Sequence, residues 1–162
     1  MNRTIIDKYE AGGAKLARGI AGLSKDEMLW KPSADAGIGT WSIQEIVIHL
    51  MDSDLIWSTR MKSIIAEDHP IILGFDESKF VSNLFYADQN PVTAIELFDL
   101  NRRQVARILR KLPDSSFSRT GNHSERGSIT LEESVKTRVQ HLDHHLSFVF
   151  KKREKLGKPL KD

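Results

Sequence analysis

The stretch SIQEIVIHLMDSDLIWSTRMKSII, residues 42–65, decides the fold. Ser42 with Glu45 three residues on fits a capping box, in which the hydroxyl takes a free backbone N–H and the glutamate reaches back to the cap. Beyond that start, Ile43, Ile46, Val47, Leu50, Trp57, Met61 and Ile64 recur at the three-to-four-residue period of one helix face. An amphipathic helix of this length needs other helices to cover its stripe.

The same grammar recurs on both sides. Downstream, Asn90-Pro91 is a good N-cap followed by proline at the first helical position, and Ile95, Leu97, Phe98, Val105, Ile108 and Leu109 carry the pattern to Leu112-Pro113. Thr130 with Glu133 makes another capping box before Val135, Val139, Leu142, Leu146 and Val149, a helix expected to end near Lys152. Upstream, apolar residues between Ile5 and Leu23 predict one further helix, although Gly12 and Gly13 lower its intrinsic preference. Ser24 and Glu27 start a short turn that stops before Pro32. Residues 67–90 read as a long connection rich in aromatics, and residues 114–129 as a polar loop. Four long amphipathic helices with almost no alternating pattern predict an all-α four-helix bundle.

A chain of 162 residues fits one domain, 1–162, of the usual size of roughly 100–200 residues. With 24 basic against 22 acidic residues, the charge is too balanced to suggest a nucleic-acid partner. The absence of cysteine excludes disulfides, cysteine zinc sites and a cysteine nucleophile, so any thiol chemistry needs a thiol from outside. No apolar run approaches the length of a membrane span and the N-terminus lacks a secretory pattern, so a cytoplasmic protein without a membrane partner is expected. The basic tail, residues 151–162, reads as a solvated helix end whose cations suit the C-terminal dipole.

Histidine is the commonest metal ligand among side chains, and His141 and His145, four apart on the last helix, present two imidazoles on one face. Both lie on a flank of the stripe centred between Leu142 and Leu146, and His49 holds a corresponding flank of the second helix. One ligand from one helix and two from another would leave coordination positions open, as in catalytic zinc sites. The same spacing also suits histidines that merely hydrogen-bond or face water, so spacing leaves both readings open. His144 points away from the stripe, and His69 and His123 fall in loops where a surface position is the default.

Asp54 falls within the stripe and needs a partner, either a ligand imidazole or, preferred here, a buried base such as Arg60. Ser53, one turn after His49, could line the site, and His123 is a further candidate for the pocket. No glutamate stands inside the histidine pair as in an HExxH peptidase, so the general base must come from elsewhere. A divalent ion would itself make the nucleophile, from a water or from a thiol.

Three stretches, TWSIQEIVIHLMDSD (40–54), NHSERGSITLEE (122–133) and HLDHH (141–145), together resemble the DinB/YfiT-like superfamily of metal-dependent hydrolases, and the likeness runs from GLSKDEM (22–28) to His145. The resemblance implies a four-helix bundle, often a homodimer, with a divalent ion, zinc or nickel ahead of iron or copper, on His49, His141 and His145. It matches Trp41 and Ser42 to the start of the helix that carries the first ligand. It implies a small-molecule substrate and either hydrolysis or S-transfer with a low-molecular-weight thiol such as bacillithiol or mycothiol. A non-catalytic metal-binding or interaction module of the stress response is the alternative. Gln140, Leu142 and Asp143 depart from the residues common around the pair in the family, so a relative's substrate preference does not transfer.

Overall fold

A computed structural model describes residues 3–160. In chain order, α1 (Thr4–Glu10) and α2 (Gly12–Ile20) form one broken arm, followed by the short α3 (Lys25–Leu29) and the long α4 (Ile43–Ala66). A two-residue strand β1 (Ile71–Ile72), α5 (Glu77–Asn83) and the long α6 (Pro91–Lys111) come next. A hairpin of β2 (Thr120–His123) and β3 (Gly127–Thr130) leads into α7 (Leu131–Lys155). The α1–α2 arm and α4 both pack against α6 and α7, which completes the four-helix bundle expected from the periodicity.

The helix starts follow from local chemistry. Ser24, Ser42 and Thr130 each accept from the backbone N–H three residues on, with Glu27, Glu45 and Glu133 returning the bond, and Asn90 caps α6 ahead of Pro91. The single N-terminal helix expected over 5–23 is instead broken at Ala11. Its two glycines serve close packing: a Cβ on Gly12 would overlap the Arg102 guanidinium, and one on Gly13 would overlap the Asp99 carboxylate.

The polar loop expected over 114–129 is likewise corrected. It contains the 3-10 turn Asp114–Ser118 and the β2–β3 hairpin, with Thr120 opposite Thr130 and His123 opposite Gly127, while β1 adds to β2 in parallel. Strands of four residues reading TGNH and GSIT offer no apolar alternation. Their order comes from backbone pairing and from Gly121 lying against Ile72 and Ile64. Leu97, expected on the buried stripe of α6, faces outward.

The core is divided. One apolar cluster gathers Leu16, Ile46, Leu50, Phe98, Leu142 and Val149, and a second gathers Ile6, Met61, Ile64, Val105, Leu109 and Val135. Between them, at the same level of all four helices, lies a polar layer. Arg102, 1 % exposed, donates from Nε and Nη2 to Asp54 Oδ1 at 3.1 and 2.9 Å, from Nη1 to the Tyr9 carbonyl at 3.1 Å and from Nη2 to the Arg138 carbonyl at 3.1 Å. Tyr9 and Asn101 donate to the other Asp54 oxygen at 3.3 and 3.0 Å. Every acceptor on Asp54 is thereby used, as a buried carboxylate requires.

Replacing Arg102 with Met strands the Asp54 carboxylate in the core, and urea unfolding should register a loss of about 3–5 kcal/mol. Gly12→Ala should cost about 1–3 kcal/mol by pushing the same guanidinium aside. Wild-type stability in both variants would contradict this packing.

Candidate metal centre

The histidine cluster sits directly on the polar layer, at the foot of the first apolar cluster. His49, on α4, is fully buried, and His141 and His145, on α7, are partly buried. Their ring centroids lie 5.1 Å apart for His49 and His141, 4.8 Å for His49 and His145, and 4.6 Å for His141 and His145. One ring nitrogen from each falls within 4.8 Å of the others, and Nε2 of His49 is 3.2 Å from Nε2 of His141. Among the described residues, these three alone form such a group of histidine and carboxylate ligand atoms.

The sequence dictates this meeting. The capping box fixes where α4 begins, so His49 lies two turns in, a little over one turn before Asp54, through which Arg102 locks α4 to α6 and α7. On α7 the i, i+4 spacing puts His141 and His145 one above the other. Trp41, just before the α4 cap, closes the outer side: its indole is stacked within 3° of parallel to His145 at 6.1 Å and lies 5.0 Å from His49.

The surroundings keep the imidazoles uncharged. Burial pushes His49 down to about 3, aided by His145 and Arg138, and pushes His145 down to about 4, aided by His144 and Arg138. His141 lies lower still, through burial and then Arg138. Neutral imidazoles are the form that binds metal. Nδ1 of His49 and Nδ1 of His145 are buried without a hydrogen-bond partner among the described residues. Three converging neutral nitrogen donors with no carboxylate or thiolate among them fit a borderline divalent ion such as zinc or nickel.

The other expected site residues lie elsewhere. Asp54 is taken by Arg102, Tyr9 and Asn101 rather than by a ligand imidazole or by Arg60. Arg60 instead lies over the Trp57 ring at 4.7 Å and donates to the Leu73 carbonyl. Ser53 accepts from Arg138 Nη1 at 2.9 Å, one turn below the histidines. His123 is buried on β2, not at the surface; it stacks on Trp57 at 5.9 Å and stays out of the cluster. His144 is exposed, against Phe148 at 4.9 Å.

Residues that the sequence reading passed over complete the site. Arg138, 4 % exposed, lies over Trp57 at 4.6 Å and gives the layer below the histidines two guanidiniums against the single Asp54 carboxylate. Lys152 and Arg153, read as part of a solvated tail, are buried at 0 % and 5 % exposure. Arg153 donates to the carbonyls of Gly19 and Ala21, at 3.1 and 3.0 Å, and Lys152 donates to those of Ile38 and Gly39. The available signal was position: Arg138, Lys152 and Arg153 continue the buried series Val135, Val139, Leu142, Leu146, Val149 at helical spacing.

No helix among the described residues is long and apolar enough to cross a membrane. Comparison with known proteins gives the same architecture and a family. Over 154 residues the chain is 29 % identical to YfiT of Bacillus subtilis, named as a candidate metal-dependent hydrolase, covering 94 % of this chain and 84 % of the relative. A relative from Oceanobacillus iheyensis with the same kind of name is 28 % identical over 112 residues, and the match spans 64 % of that protein's length. The solved structure of YfiT, described as an unusual four-helix bundle, superposes with a TM-score of 0.87 at 24 % identity, covering 95 % of this chain and 86 % of that one. The mycothiol-dependent maleylpyruvate isomerase shares the fold at a TM-score of 0.68 and 11 % identity, over 90 % of this chain and 59 % of that one. The sequence profile of the DinB superfamily matches residues 8–149, and the chain belongs to that superfamily.

Proposed function

We propose that this protein is a metal-dependent enzyme in which His49, His141 and His145 hold one divalent ion, zinc or nickel ahead of iron or copper. The observation that carries the reading is the convergence of three imidazoles, one buried and two partly buried, whose ring nitrogens lie within 4.8 Å of one another beside a cavity. A divalent ion there would supply a Lewis acid able to make a water or a thiol nucleophilic near neutral pH. The names of the relatives favour hydrolysis, and the mycothiol-dependent isomerase that shares the fold favours a low-molecular-weight thiol as co-substrate. The chain's own contribution would be a rigid three-nitrogen face, a Trp41 wall that limits water, and the charge of Arg138. That charge favours an anionic occupant of the remaining coordination positions. A single-domain protein of the cytoplasm, acting as a homodimer on a small molecule, completes the proposal.

Protein purified without a histidine tag should carry, or take up on titration, one equivalent of divalent metal by elemental analysis. His49→Ala combined with His145→Ala should abolish uptake while the helical circular dichroism persists. Unchanged uptake in that variant would remove the ion from these residues.

Conjugation of a small thiol to a model electrophile should be metal-dependent and stopped by a chelator. Metal loading without turnover on a wide panel of thiols and esters would favour the non-catalytic module instead.

A pH signature follows from burial. In the unfolded chain the three imidazoles titrate near their ordinary value of about 6.5. In the folded chain they are held far lower, so below that value the unfolded state binds more protons. The stability of metal-free protein should therefore be full above about pH 6.5 and fall steadily as the pH drops toward 4. Replacing all three histidines with glutamine should flatten that fall in urea titrations, and an equally steep fall would contradict the assignment.

A further inference from the structure

Beside the histidines, a cavity of about 200 Å³ opens between α7 and the loop that precedes α4. Trp41, Ile46 and Phe148 give it apolar walls, and His145 and Lys152 both line it. His145 and Lys152 are seven residues apart on one face of α7, a separation of about 10 Å along the axis.

Lys152 is an unusual residue to bury. It has no ion pair among the described residues, and burial alone pulls its ammonium down to about 8, with no neighbouring carboxylate acting against that fall. Two of its three N–H donors go to the carbonyls of Ile38 and Gly39, which leaves one. Its neighbour Arg153 differs, because the Glu27 carboxylate acts on it and its carbonyl partners lie in the α2 arm, outside the cavity. A buried cation without a counter-charge is costly to keep, and a neutral donor could tie down the same two carbonyls. An anion arriving from solvent would supply the missing charge and use the remaining N–H.

We propose that Lys152 anchors the anionic end of the substrate, so that the site takes a small acid: a molecule with an apolar middle, one end at the histidine cluster and a carboxylate at Lys152. The orientation rests on the three-histidine reading above, whereas the anion anchor does not. Reach and chemistry agree. The aromatic walls match an apolar spacer, the ammonium matches a carboxylate, and the two-turn separation sets a chain of several carbons between the ends.

The test is binding of ω-mercaptohexanoate and ω-mercaptohexanol, equal in carbon-chain length, one ending in a carboxylate and the other in a neutral hydroxyl, by calorimetry on cobalt-loaded and on metal-free protein. Wild type should prefer the carboxylate by about tenfold or more in both forms, and Lys152→Gln should lose that preference while binding the alcohol as before. Equal affinity of the two probes for wild type overturns the proposal, as does a preference that survives in Lys152→Gln. If that variant melts below the working temperature, the wild-type comparison together with Lys152→Arg, which should retain the preference, decides instead. The thiolate-to-cobalt absorption band reports the metal separately, and with no cysteine in the chain it can arise only from the probe. A band with both probes and no carboxylate preference leaves the metal centre standing and removes the anchor. A carboxylate preference without a band does the reverse.

Discussion

Arg102 is the side chain on which the arrangement of helices depends. From α6 it reaches the Asp54 carboxylate on α4, the Tyr9 carbonyl in the last turn of α1 and the Arg138 carbonyl on α7, with its guanidinium over the Phe98 and Tyr9 rings at 4.2 and 4.5 Å. Four helices are thus tied at one level by directional bonds, where apolar packing alone would tolerate sliding. Gly12, just after the α1–α2 break, leaves the Arg102 guanidinium the room a Cβ would take, and Gly13 does the same for Asp99. Burying the pair carries a desolvation penalty, so the gain lies in registry more than in stability.

Registry is what a three-histidine centre requires. His49 lies five residues before Asp54 on α4, and His141 three residues after Arg138 on α7, so the level fixed by Arg102 and Asp54 also fixes where the imidazoles meet. The arginines do a second service. With two guanidiniums against one carboxylate beneath the histidines, protonating an imidazole adds positive charge to a site that already has it, and burial presses in the same direction. Neutral nitrogen donors and a field that welcomes anions belong to the same site. Lys152 extends that field along the wall of the neighbouring cavity.

How legible this was depends on how local each cause is. The starts of α3, α4, α6 and α7 could be read because Ser24, Ser42, Asn90 and Thr130 act on backbone groups two or three residues away. The bundle could be read because the stripe of α4 repeats over six turns. The break at Ala11 could not, since its reason sits on α6, and the β2–β3 hairpin could not, since TGNH and GSIT are held by pairing with distant backbone. The histidines were found from spacing and sharpened by the motifs around them. Arg102, Arg138 and Lys152 were passed over because a charge on an apolar stripe reads as an interruption. It reads as a buried function only once its partners are known. Asp54 was placed correctly in the core, but its partner, Arg102, sits among the apolar residues of the α6 stripe, where only its bonds to Asp54 identify it.

The central claim, that the registry set by Arg102 and Asp54 brings His49, His141 and His145 together to hold a metal ion, is tested most directly by anomalous diffraction. Crystals of tag-free protein, grown with zinc or nickel and measured on both sides of the metal's absorption edge, should give one strong anomalous peak bounded by the three imidazoles. A metal-soaked crystal with no peak there, or with its ion held by other side chains, would contradict the account.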